Sequence, residues 1–540
     1  MVEALYHLTR HRNLFTSSNH MEVTMFKINN LAICLAFCFS LMLLVIGCDS
    51  LTNDSVSSQR EAVSNSGAAL DPSALGKRGL DYDFDADTRT FDEQLADITR
   101  QVPGFAGAFL QDGQLMMNIK DVSRGQSMLE TLQSLSPASE RSVLAVIQSN
   151  ASERQVQFKA VRYDFLQLHK WRGIVEEEMR TESAATLIDT DERRNRIVIG
   201  VKSLSDEQHI RTKLLERGIP TEAIEFEEIP PAVALVGRSS EARSSEAMSR
   251  RITPASSSFP FDLRDHHRPT FAGQRIEAGG VGDCTLGANM FWWDNNSVVH
   301  HGFLTNAHCT GTRLSENGVV FKQIFFPIGV EFLDAKAHSC SSTAWCFWAD
   351  AAIIEYDDDF QGHPIENRGY IGRTLLWDPN CGIATPGCPT DLAEPYFFIS
   401  HTQYGNLVGT RLNKVGQITG WTDGLVSRTC FTKLSGDGYD NWCQNEVEKD
   451  SNAPSDLPIA TLGDSGAPVF YRRGESAWDD NFLSELVNFS GMVWGAPITP
   501  QEPQPDRFYY TPYRYLRAGS KTGFPRPAWI RRYEWRWTWE

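Results

Sequence analysis

Three short stretches of this sequence carry side chains that could act together on a carbonyl group. Ser465 lies in Gly463-Asp464-Ser465-Gly466-Ala467-Pro468-Val469-Phe470. A serine hydroxyl is a weak nucleophile near neutral pH and needs a base beside it and donors for the oxyanion that develops. Glycines on either side let the chain turn tightly, so the amides of Gly463 and Ser465 can aim at one point. The Val-Phe run predicts a strand that anchors the loop. His308 ends the β-rich run Gly302-Phe303-Leu304-Thr305-Asn306-Ala307-His308, and Cys309 follows it directly. Asp350 opens the apolar run Ala351-Ala352-Ile353-Ile354. An aspartate there is costly to bury unless it accepts hydrogen bonds, and orienting the His308 imidazole is such a role. Asp357, Asp358 and Asp359 are nearby carboxylates, but they form a run at a strand end and read as a solvated turn. A Gly-Asp-Ser-Gly string alone is a common turn, and a lone histidine after a strand is most often structural. Together they point to acyl transfer, with Ser465 as nucleophile, His308 as base and Asp350 as its orienter. That chemistry calls for no metal or organic cofactor.

The elements that must position these groups fall in the second half of the chain. At 540 residues, two or three domains are expected. From about residue 259 to 540 the texture is short β-like runs, Gly/Pro/Asp turns and many Trp and Phe, the pattern of an all-β sandwich or barrel. All cysteines outside residues 1–48 lie in this part, in close succession as Cys284/Cys309, Cys340/Cys346, Cys381/Cys388 and Cys430/Cys443. An even number in near pairs reads as four local disulfides. Zinc is the competing account, since His338 is near Cys340, but the spacings suit no common zinc site. Residues 85–236 contain no cysteine and read as a separate α/β region. Phe105–Leu110 and Leu115–Ile119 around Gln111-Asp112-Gly113 predict a hairpin, and residues 125–135 a helix. Arg196–Val201 predicts a strand, Asp206–Arg217 a helix, and Ala223–Ile229 a further strand. Residues 237–258 are Ser- and Arg-rich without hydrophobic period and predict a linker, with Arg250-Arg251 as a cleavable pair.

Taken together, these residues resemble the chymotrypsin/trypsin family, in its bacterial branch that includes α-lytic protease and the streptogrisins. The order His308, Asp350, Ser465 is the family's own. Cys284-Thr285-Leu286-Gly287 looks like the bacterial opening whose cysteine pairs with the one after the histidine. Gly416-Gln417-Ile418-Thr419-Gly420-Trp421 resembles a Gly-Arg-Thr-Thr-Gly strand, and Cys430/Cys443 flank the next hairpin as the family's second-barrel disulfide does. Ser490-Gly491-Met492-Val493-Trp494-Gly495 resembles the strand that pairs with substrate backbone. The resemblance covers roughly residues 265–520. It implies a chymotrypsin-like double β-barrel, a serine endopeptidase activity on polypeptides, an oxyanion site at the Gly463 and Ser465 amides, and a monomer. It places Val493, Trp494, Gly495 and Ile459 at the substrate. Ile459 stands where trypsins carry an aspartate, so an apolar pocket is expected. Val493 replaces a serine that many relatives keep beside the triad aspartate, while Asn306 and Ala467 are mild departures. Lys414 is expected to pair with Asp464, so that no freed N-terminus is required. Residues 85–236 resemble the pro-segments of bacterial relatives, which act as folding chaperones and inhibitors; an attached accessory domain is the other reading.

Residues 31–47 (LAICLAFCFSLMLLVIG) are almost wholly apolar and turn polar at Cys48-Asp49-Ser50. That length suits the core of an export signal better than a membrane span. Val45-Ile46-Gly47-Cys48 resembles a lipobox, which makes residues 1–48 a lipoprotein leader starting at Met21 or Met25, with Cys48 lipidated. A plain signal peptide or an uncleaved anchor is the alternative. Ser- and Asn-rich residues follow, and 49–84 read as a flexible tether. The expected location is the bacterial envelope, or outside the cell after processing. A net charge of −17 disfavours a nucleic-acid partner. The aromatic and charged alternation over Trp529–Trp539 could meet a membrane or glycan, and a strand on the barrel is the plainer account. A binding module of a different class, a catalytically silent surface lipoprotein on the same scaffold, is the functional alternative.

Overall fold

Strand-length apolar runs punctuated by Gly, Pro and Asp pair in sequence-local hairpins after residue 260, and the pairings build two β-barrel halves. A computed structural model describes residues 89–139, 142–237 and 261–517, less short loop segments within the last span, together with Phe524 and 528–530. The leader with Met21, Met25 and Cys48, the tether, the Arg250-Arg251 pair, Asp358, Asp359 and residues 531–540 lie outside the described residues. Among the described residues no helix is long and apolar enough to cross a membrane.

In the first half the strand order is Ala528–Ile530, Ala288–Trp293, Val299–Thr305, Ala352–Tyr356, Phe326–Asp334, Val320–Gln323, Arg275–Ala278, Gly282–Thr285. The beginning of the aromatic C-terminal segment thus adds a strand to this sheet, with Ile530 opposite Met290. The second half closes on itself. Gly420–Lys433 pairs with Tyr439–Lys449, which pairs with Arg507–Pro512, then Leu486–Pro497, Pro468–Arg472, Arg411–Gly416 and again Gly420–Lys433. Leu412, Val426, Val447, Val469 and Phe508 fill its interior and are fully buried. Burying one such side chain contributes about 1.5–3 kcal/mol relative to leaving it in water. This is the all-β, chymotrypsin-like double barrel expected from the sequence, preceded by an α/β region.

That α/β region begins with the helix Phe91–Gln101, whose first turn is closed by a Thr90/Glu93 capping box. The strands Phe105–Gln111 and Gln114–Ile119 meet at Asp112 and Gly113, both with positive φ (49° and 76°), as a two-residue hairpin turn demands. Ala185–Asp191, Arg196–Val201 and Ile224–Glu228 are successive strands that continue the sheet of the second barrel, with the helix Glu207–Glu216 between the last two in sequence. The helix Phe165–Met179 buries Leu168, Val175 and Met179 among Ile188, Ile197 and Ile199.

Two strand pairings join this region to the second barrel. Ala185–Asp191 lies against the edge of Gly420–Lys433, with Ile188 opposite Thr432 and Leu187 opposite Lys433. Ala232–Ala234 lies against Leu486–Pro497. Around the first pairing the contact is charged and buried. Arg172 donates to the Cys430 carbonyl at 2.7 Å and to Thr432 Oγ1 at 3.0 Å, and also binds Asp92. Arg428 meets Asp189 at 3.2 Å and Glu446 at 3.3 Å, and binds Glu227 as well. Asp92, Asp189, Asp191 and Glu192 are all buried here. So many carboxyls crowd two buried guanidinium groups that some resist ionisation. Burial pushes Asp189 up to about 7, with Arg428 and Arg172 opposing and Asp191 and Asp92 adding to the rise. Burial likewise raises Glu192 and Asp92.

A carboxyl raised in the folded protein contributes stability that is complete below its ordinary pKa near 4 and is lost as pH rises through the folded value. The attachment of the α/β region is therefore expected to weaken between about pH 4 and about 7 on account of Asp189. Hydrogen exchange of residues 427–434 and 185–191, corrected for intrinsic rates, should show greater opening at pH 8 than at pH 5. Asp189→Asn should flatten that difference, and an unchanged pH profile in the variant would contradict the assignment.

Candidate active site

The ends of two paired strands bring the imidazole and the carboxylate together. Thr305 is opposite Ala352 in the antiparallel pairing of Val299–Thr305 with Ala352–Tyr356. His308, three residues beyond the first strand's end, and Asp350, two before the second strand's start, therefore emerge at the same edge. A short 3₁₀ turn over Ala307–Thr310 folds His308 back onto that carboxylate. His308 Nδ1 is 2.8 Å from Asp350 Oδ2, and the His308 amide donates to Oδ1 at 3.1 Å. An ionised carboxylate only accepts, so Nδ1 carries the proton and Nε2 is left to accept. Its partner is Ser465 Oγ at 2.6 Å. All three side chains are buried. Asn306 Nδ2 donates to the Asp350 carbonyl at 2.7 Å, which couples the histidine turn to the backbone of the aspartate.

Ser465 stands in a turn that only glycine permits at two places. Gly463 has φ 105° and Gly466 φ 91°. A Cβ on Gly466 would fall 2.1 Å from the Thr285 carbonyl. Thr285 belongs to the first barrel, and its amide donates to the Ser465 carbonyl at 2.7 Å while its hydroxyl donates to the Gly463 carbonyl at 2.9 Å. Its neighbour Cys284 is bonded to Cys309, next to His308. One covalent link and two hydrogen bonds thus connect the histidine turn to the serine loop across the barrel junction. Disulfides also join Cys340 to Cys346, Cys381 to Cys388 and Cys430 to Cys443. The Cys340–Cys346 bond leaves no thiolate for zinc, and His338 packs against Trp348 and Trp442.

Beneath the loop, Asp464 is enclosed. Its carboxylate accepts from Thr419 Oγ1 at 2.6 Å, from the Ile418 amide at 3.0 Å and from the Thr461 amide at 3.1 Å. Lys414 Nζ approaches it at 3.3 Å, and neither side chain is exposed. Burial lowers the Lys414 pKa while Asp464 pulls it back up. Closer to the triad aspartate lies a second buried acid, Asp334. Burial, followed by the charges of Glu331 and Asp350, pushes it up to about 9.

The site is covered by the chain itself. Ala232–Ala234 runs antiparallel to Leu486–Pro497, with Ala234 opposite Gly495, Val233 opposite Ala496 and Ala232 opposite Pro497. The Leu235 amide donates to the Trp494 carbonyl at 3.4 Å. The Leu235 carbonyl accepts from the Gly463 amide at 2.5 Å and from the Ser465 amide at 3.4 Å. The Leu235 side chain is fully buried in the apolar cluster that also holds Ile459, Ala460, Ala467 and Val493. His308, Asp350 and Ser465 thus meet through hydrogen bonds, and the Gly463 and Ser465 amides share the Leu235 carbonyl. Gly495 and the Trp494 backbone pair with the strand that leads to Leu235, Ile459 and Val493 lie in its apolar cluster, and the Trp494 side chain packs separately with Phe431 and Tyr509. Sequence reasoning missed Asn306 and Thr285 as tethers, and it missed the occupying strand, whose three residues carry no period and whose only signal is the Pro230-Pro231 pair before it. An arrangement of this kind can deprotonate a hydroxyl, hold an oxyanion and bind an extended polypeptide.

No protein-family model matches the chain, and no curated protein matches it. Solved structures do. The chain is 15% identical to the Nocardiopsis protease NAPase, with TM-score 0.28, over 46% of this chain and 93% of that one. It is 13% identical to Thermobifida fusca protease A, with TM-score 0.27, over 45% and 91%. It is likewise 13% identical to Cellulomonas bogoriensis chymotrypsin, with TM-score 0.27, over 46% and 92%.

Removing the cation of the buried pair leaves Asp464 uncompensated, a change that costs about 3–5 kcal/mol. Lys414→Met is expected to lower the melting temperature by several degrees, and Asp464→Asn in the same chain should recover part of the loss. A Lys414→Met protein that melts like the parent would show the pair to be dispensable.

Proposed function

We propose that the chain is a serine endopeptidase made in latent form, with residues 85–236 acting as its inhibitory pro-segment. The observation that carries this reading is the convergence on Leu235. The two amides that would stabilise an oxyanion already hold the carbonyl of an extended peptide, beside a hydroxyl bonded to an oriented imidazole. Ser465 attacks a peptide carbonyl while His308 takes its proton, and His308 then gives that proton to the leaving amine. Asp350 keeps the imidazole in the required tautomer and balances its transient charge. The Gly463 and Ser465 amides stabilise the oxyanion, and Val493, Trp494 and Gly495 align the substrate as an added strand. Lys414 supplies the charge that fixes Asp464, so the loop needs no newly freed terminus. Asn306 and Thr285 are positioning residues.

Four disulfides support an oxidising compartment and hence export. With the apolar leader ending at Cys48, the reading is an envelope lipoprotein whose barrel is tethered until it is cut free.

A fluorophosphonate probe tests the chemistry. Over time the full chain should take label at Ser465, and Ser465→Ala should take none. Peptide hydrolysis by Ser465→Ala or His308→Ala should fall by about 10⁴-fold or more. Equal labelling of wild type and Ser465→Ala would sink the reading in favour of a catalytically silent binding module.

A further inference from the structure

Residues 230–237 read Pro-Pro-Ala-Val-Ala-Leu-Val-Gly, and their path does more than cover the serine. Two prolines stiffen the approach, which limits the freedom lost when the following residues pair. Beyond Leu235 the chain remains in contact. The Gly237 amide donates to the Asp283 carbonyl at 2.8 Å. A Cβ on Gly282 would fall 2.1 Å from the Gly237 carbonyl oxygen and 3.0 Å from Val236 Cγ1, so this backbone rests directly on a glycine. The segment is thus gripped on both sides of a single peptide bond, as an unbroken substrate would be. Selection along it is uneven. The Leu235 side chain is fully enclosed, whereas Val233 is 39% exposed and meets little that could choose it.

Resting on the serine-endopeptidase reading, we propose that Leu235–Val236 is the enzyme's own first substrate, and that its pocket is built for a leucine-sized aliphatic side chain. Ser465 Oγ bonds to the Leu235 carbonyl carbon as its proton passes to His308 Nε2. The bond from that carbon to the Val236 nitrogen breaks, and the proton moves from His308 to this nitrogen. Water then hydrolyses the Leu235 ester, which returns Ser465 and leaves a Leu235 carboxylate. The barrel emerges with Val236 at its N-terminus. Ile459, Ala460 and Val493 offer the pocket an apolar wall, so a charged side chain there would be buried without a partner. Polypeptides that present a leucine in an extended segment are the substrate class.

The test follows the purified full chain over time by intact mass and N-terminal sequencing, for wild type, Ser465→Ala and Leu235→Asp. It is joined by chromogenic tetrapeptide amides Ala-Val-Ala-X. The first C-terminal fragment of wild type should begin at Val236, while Ser465→Ala should stay joined at that bond. Leu235→Asp should be cut about 100-fold more slowly, and X = Leu should be hydrolysed about 100-fold faster than X = Asp or Lys. The tetrapeptides give the pocket preference even where Leu235→Asp fails to fold. A first cut elsewhere, such as after Arg250 or Arg251, overturns the inference. So does cleavage at Leu235 in Ser465→Ala, or a rate for X = Leu no better than for X = Asp. Fluorophosphonate label on Ser465 without a Val236 terminus refutes this inference alone. Absence of both label and hydrolysis refutes the endopeptidase reading with it.

Discussion

A carboxylate shut away from water must be answered by a cation and by donors, and Asp464 is answered by Lys414, Thr419 and the amides of Ile418 and Thr461. The turn that carries Ser465 hangs on this one anchored side chain. With Asp464 fixed, Gly463 and Gly466 take the left-handed conformations that glycine allows, and the amides of Gly463 and Ser465 point the same way. The cation comes from within the same barrel, from the strand Arg411–Gly416, so the loop's shape belongs to the folded chain and does not wait for a cleavage event. The loop is thus fully shaped while the chain's own Leu235 carbonyl sits on its amides.

Occupancy is achieved by two strand additions to the second barrel. Ala185–Asp191 extends the edge of Gly420–Lys433, and Ala232–Ala234 extends the edge of Leu486–Pro497. The first is surrounded by buried charge and sets where the α/β region sits. The second is short and apolar and presents a single side chain to a pocket. Backbone pairing supplies attachment without sequence selection, while the enclosure of Leu235 supplies selection. Dividing the work this way leaves the attachment of the α/β region independent of the peptide bond next to Leu235. The crowding of Asp92, Asp189, Asp191 and Glu192 around Arg172 and Arg428 places carboxyls raised by burial at that hold.

Much of this was legible in the sequence because it rests on local chemistry. Gly-Asp-Ser-Gly, the histidine with its adjacent cysteine and the aspartate at a strand's start each carry their reason within a few residues. The paired cysteines and the Asp112-Gly113 hairpin do so as well. What sequence reading missed is long-range. Helices Val143–Glu153 and Phe165–Met179 carry apolar residues that face partners far along the chain, which blurs a one-sided pattern. Thr285 and Asn306 act through partners in loops far along the chain and look like ordinary polar residues in isolation. Ala232–Ala234 gains strand character only from the edge it meets, and Leu235 gains significance only from the amides that receive its carbonyl.

The bond between Cys284 and Cys309 has a meaning beyond bracing. Cys309 follows His308 directly, and Cys284 precedes the threonine that hydrogen-bonds the serine loop, so one covalent bond ties the His308 turn to the strand end that holds Ser465. That strap closes only where thiols are oxidised. Where thiols stay reduced, the chain has the residues of the site without the link that registers them to one another. The thiol–disulfide poise of the surroundings thereby becomes a condition on how firmly His308 and Ser465 are held in register.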